Sequence, residues 1–64
     1  MENEVVSIMK NMEEQFEGAA IDAQKFAEGN NSAGTRVRKA MQNIKNLAQT
    51  VRVEIQEQKN SVLA

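Results

Sequence analysis

The sequence contains no cysteine, histidine, tryptophan or tyrosine, and its only aromatic residues are Phe16 and Phe26. Each absence removes a class of chemistry. Without cysteine there is neither a disulfide framework nor a thiolate. Without histidine the common nucleophile–base pairs are missing, and Ser7, Ser32 and Ser61 stand in no setting that would activate them. No residue is assigned a catalytic role, and the expectation is a protein that is not an enzyme. Two phenylalanines, both at helix-packing positions, make no stacking platform for single-stranded nucleic acid. Glu13 and Glu17 lie one helical turn apart with Glu14 beside them. A hard cation takes about six or more oxygens, so these carboxylates read as a solvated acidic face, and neither a metal nor a cofactor is expected. No apolar run approaches the ~20 residues of a membrane-spanning helix, and the acidic start Met1-Glu2-Asn3-Glu4 is unlike the basic start of a signal peptide. The expectation is a complete, soluble, cytoplasmic chain with no membrane or small-molecule partner.

Proline is absent too, so only Gly18, Gly29 and Gly34 interrupt helix formation over 64 residues. Val5, Met9, Met12, Phe16, Ala19, Ala23 and Phe26 recur at alternating spacings of four and three, which is heptad spacing and predicts a first helix over about 3–28. Gly18 lies among Ala19, Ala20 and Ala23, and the expected return for it is close approach of another backbone. Gly29 suits the left-handed position after a helix. Asn30, Asn31 and Ser32 are each competent to cap the next helix, so the turn is placed at about 29–32 and the second helix at about 32–60. Gly34 falls in its first turn and weakens it locally. Val37, Ile44 and Val51 form one apolar row of this helix, and Met41, Ala48, Ile55 and Val62 form another. Ala40 and Leu47 make a third row, which widens the stripe beyond a two-stranded seam.

A short connection between two helices of similar length predicts an all-α, antiparallel two-helix hairpin forming one domain over residues 1–64. A chain this short builds a limited core. Self-association is the expected way to complete it, with a homodimeric four-helix bundle favoured. The expected oligomer core comprises Met9, Met12, Phe16, Phe26, Met41, Ile44, Leu47, Val51 and Ile55. Val6, Ile21 and Val53 fall off the main rows.

The net charge of −1 conceals an asymmetry. Residues 1–28 hold seven acidic and two basic residues; residues 29–64 hold six basic and two acidic ones. Arg38, Lys45, Arg52 and Lys59 recur every seven residues, and Arg36 and Lys39 add to the first of them, with no acid from Arg36 to Arg52. Two readings stand side by side. One takes the ridge as helix-flanking charge that selects an acidic helical partner; the other takes it as a surface for a nucleic-acid backbone.

The segment Gly29-Asn30-Asn31-Ser32-Ala33-Gly34-Thr35-Arg36-Val37-Arg38-Lys39-Ala40, followed by Ile44-Lys45, Leu47-Ala48 and Arg52-x-Glu54, resembles the bacterial linker-histone-like family. That family includes the chlamydial DNA-condensing proteins and short Bacteroidetes-type homologues. The resemblance is clear over residues 29–59, and the first helix shares only length and heptad character. It implies a small helical nucleoid protein that binds DNA with little sequence preference, with Arg36 and Arg38 matching the family's Arg-x-Arg pair. The condensing members continue into a long Lys/Ala-rich tail, whereas this sequence ends at Ser61-Val62-Leu63-Ala64, so the expected affinity is modest. The expected DNA-contacting residues are Arg36, Arg38, Lys39, Lys45 and Arg52. The alternative is a helical oligomerisation module without a nucleic-acid role.

Overall fold

α1 spans Glu4–Ala27 and α2 spans Asn31–Leu63 in the computed structural model, which describes residues 2–63 and the side chains of residues 2–61. The two helices pack against each other as an antiparallel hairpin, with no strand among the described residues. Its ends are closed by side chains that the chain supplies locally. Asn3 caps α1, its Oδ1 accepting from the Val5 N–H at 2.8 Å. Between the helices, the Gly29 N–H donates to the Phe26 carbonyl and the Asn30 N–H to the Lys25 carbonyl, both at 3.0 Å. This pair of bonds defines a Schellman turn, and it requires the positive φ of 105° that Gly29 adopts. Of the three candidate caps for α2, Asn30 takes the role: its Oδ1 accepts from the Ala33 N–H at 3.1 Å.

Helix lengths differ more than the sequence implies. α1 has 24 residues and α2 has 33, so α2 is the longer by over two turns. Asn3 and Gln58 join side-chain amides in both directions, at 2.8 and 3.0 Å, and close the open end of the hairpin. This pair is polar and lies 55 residues apart, so no periodicity signals it.

The seam between the helices departs from the expected rows in an instructive way. On α1 the half-buried or buried residues are Val5, Ile8, Met12, Gln15, Ala19 and Asp22, while Met9, Phe16, Ala23 and Phe26 are exposed. On α2, Val37, Ala40, Ile44, Leu47, Val51, Glu54 and Gln58 turn toward α1, and Met41 and Ile55 are exposed. Val62 is outside the residues whose side chains are described. Each helix therefore has one central row with a second row on either side of it. A two-helix seam takes the central row and one neighbour; the other neighbour is left over. Heptad counting finds the central row but is symmetric about it, so spacing alone does not separate Ile8 from Met9.

Gly29 takes the expected left-handed position, but Gly18 departs from expectation. A Cβ built at Gly18 meets nothing within 4 Å, so no backbone approaches there. The close approach is at Gly34, where a Cβ would fall 2.6 Å from the Phe26 ring. The missing side chain lets that ring lie against the first turn of α2. Gly18 is thus an unused helix breaker. Gly18→Ala is expected to stabilise the fold by about 1 kcal/mol, read as a rise in melting temperature of about 4–8 °C.

The hairpin is a slab of 54 × 20 × 11 Å, one helix thick. Among the described residues, only Ile8, Ala19 and Ala33 are buried.

Candidate nucleic-acid interface

One slab gives two broad faces, and the sequence makes them different. On the first, three shallow grooves follow one another along the hairpin. Phe26, Ala23, Gly34, Val37 and Arg38 line one; Phe16, Ala20, Ala23 and Met41 line the next; Val6, Met9, Phe16 and Ile44 line the third. This face is apolar. The second face is polar, and Gln15, Gly18, Asp22, Arg36, Lys39 and Asn43 meet across it. Ile21 and Val53 are exposed and line neither set of grooves, whereas Val6 joins the apolar face.

The five basic residues expected to contact DNA are distributed over both faces. Arg36 lies on the polar face, where its Nε donates to Asp22 Oδ1 at 3.0 Å. The Asp22 side chain is 21% exposed and the Arg36 side chain 49%. An ion pair this open contributes about 0–1 kcal/mol, so it orients the guanidinium without neutralising its remaining donors. Arg38 lies across the helix, because two residues turn an α-helix through about 200°. It borders the apolar groove at Phe26. Lys45, Arg52 and Lys59 continue its row at seven-residue steps, and all are exposed. Lys39 lies with Arg36 on the polar face and is exposed as well. Among the described residues the ion pairs are Lys10–Glu2 at 2.7 Å and Arg36–Asp22; Arg38, Lys39, Lys45 and Arg52 enter neither.

This arrangement tests the idea that acids of α1 neutralise the ridge within the chain. Asp22 engages Arg36, and Glu13 lines the groove around Met9 and Phe16 rather than meeting the ridge. The positive row survives folding. The N-terminus of α2 adds to it, since its first turn holds no acidic residue and exposed helix N–H groups carry partial positive charge.

A family model described as histone H1-like protein Hc1 matches residues 7–61. The chain belongs to that family. The match takes in nearly all of α1 as well as α2, so the Hc1 relationship extends well beyond the Arg-x-Arg segment where the sequence resemblance is sharpest. No curated protein and no solved structure matches the chain. Within the Hc1 frame the separated Arg36 and Arg38 become informative: one is tied to α1 and the other opens toward the free ridge. No helix of the described residues is long and apolar enough to cross a membrane, and no group of three or more potential metal-ligating residues is found among them.

Proposed function

We propose that this Hc1-family protein is a small nucleoid-associated protein that binds the DNA backbone with little sequence preference. The observation that carries the reading is the row Arg38, Lys45 and Arg52, with Lys39 on the polar face, all exposed and free of ion pairs among the described residues, in a chain of a histone-like family. Arg36 contributes its remaining donors from the polar face. These side chains are flexible cations on an exposed helix flank, suited to phosphate contacts, which carry no sequence information directly. Seven-residue steps place successive charges about 10.5 Å apart, so each reaches a separate phosphate group. If four or five phosphates are engaged, log K should fall against log salt with a slope of about −4 on duplex DNA. Titration of labelled duplexes of unrelated sequence at several salt concentrations measures it. A slope near zero, or no binding at tens of micromolar at low salt, would remove the DNA reading.

The exposed apolar face favours a second reading, a helical interaction module in which the ridge selects a protein partner. It predicts no dependence on duplex DNA at any salt.

A further inference from the structure

The outer edge of α2, opposite the side that packs on α1, takes no part in holding the hairpin together. Val37, Ala40, Ile44, Leu47 and Val51 turn toward α1. At about 100° per residue, Gln42, Asn46, Gln49 and Val53 lie on the other side of the helix, and all four are exposed. Three of them are amides. An exposed edge needs only polarity, which Lys or Glu supplies; Asn is a weaker helix former than either, so helix stability does not explain Asn46 in the middle of α2. From Arg36 to Val53 the chain carries no carboxylate. Val53 is 45% exposed and lines none of the grooves between the helices.

Cations flank this amide strip on both sides. Arg38, Lys45 and Arg52 run along one side of it at seven-residue steps. Lys39 stands on the other, with Arg36 behind it on the polar face. The slab is one helix thick, at 11 Å, so α1 lies behind the edge and does not broaden it. An α-helix with its side chains is about 10–12 Å across, and the major groove of B-DNA is about 12 Å wide. The amides also remain available to a ligand, since Gln42 Nε2 reaches Asn46 Oδ1 only at a long 3.4 Å.

We infer that the outer edge of α2 enters the major groove of duplex DNA, with Gln42, Asn46 and Gln49 at the base edges, Arg38, Lys45 and Arg52 on the phosphates of one strand, and Lys39 and Arg36 on those of the other. An amide carries a donor and an acceptor side by side, which matches N6 and N7 of adenine, and Val53 offers an apolar contact to a thymine methyl. The inference rests on the DNA reading and adds to it the groove, the docking element and the side chains that face the bases. It also gives the separation of Arg36 from Arg38 a use: cations on both flanks of one helix reach both strands of one groove.

Three measurements on the full chain test it. A mixed A·T duplex should bind about fivefold tighter than a G·C duplex of equal length, the low end of what one amide–adenine pair discriminates. Replacing Gln42, Asn46 and Gln49 together by alanine, the best helix former, should keep the fold, bring that ratio close to one and leave the salt slope at about −4. In a duplex of mixed sequence, bound protein should protect guanine N7, in the major groove, from dimethyl sulfate and leave adenine N3, in the minor groove, reactive. Binding with the same salt slope but with guanine N7 unprotected, or with the A·T preference absent or retained by the alanine variant, overturns the docking and leaves the phosphate reading standing. Absence of duplex binding at low salt removes both.

Discussion

Phe16→Ala is expected to destabilise the protein by about 3 kcal/mol, as for a core phenylalanine, and Ile21→Ala to change it by less than about 0.5 kcal/mol, as for a surface site. The contrast is sharp because both side chains are 61% exposed in the single hairpin. Accessibility alone ranks them equal. What separates them is neighbourhood. Phe16 lines two of the three grooves on the apolar face, and Ile21 lines none of them. If self-association covers that face, Phe16 is enclosed and its truncation leaves a cavity. Urea denaturation at two protein concentrations measures the effect. The wild-type midpoint should rise with concentration, as it does whenever folding is linked to association, and the Phe16→Ala midpoint should lie well below it. Equal small effects for the two variants would show that the apolar face stays uncovered in solution.

Replacing Arg38, Lys45 and Arg52 together by alanine should reduce the slope of log K against log salt from about −4 to about −1, because three phosphate contacts are lost. At about 0.1 M salt this corresponds to a fall in DNA affinity of two to three orders of magnitude. Arg36→Ala alone is expected to cost no more than about 1 kcal/mol of stability, since it removes the Asp22 pair, and to reduce the magnitude of the salt slope by about 1. If the triple variant binds DNA with an unchanged slope, the phosphate contacts lie elsewhere.

Much of the molecule was legible in the chain order. The absence of proline and the heptad recurrence of Val5, Met12, Ala19, Val37, Ile44 and Val51 dictated two long helices. Gly29-Asn30 dictated where they break, because the Schellman turn needs a residue free to adopt positive φ and α2 needs a capping side chain. The short turn made the helices antiparallel. Side-chain charge was equally plain: α2 is basic from Arg36 to Arg52 whatever packs against it.

Tertiary structure decided which side of each central row was spent. Heptad spacing is symmetric, so Ile8 and Met9 flank the same row with equal claim, as do Ala40 and Met41. The hairpin took Ile8 and Ala40, matched by Arg36–Asp22 on the polar face and by the amide pair of Asn3 and Gln58 at its open end. These are contacts between residues distant in sequence, and no local pattern encodes them. That choice left Met9, Phe16 and Met41 in the open. It also parted Arg36 from Arg38, adjacent members of one motif, onto opposite sides of α2, because a helix turns about 100° per residue and only the position of α1 determines which of them finds a carboxylate.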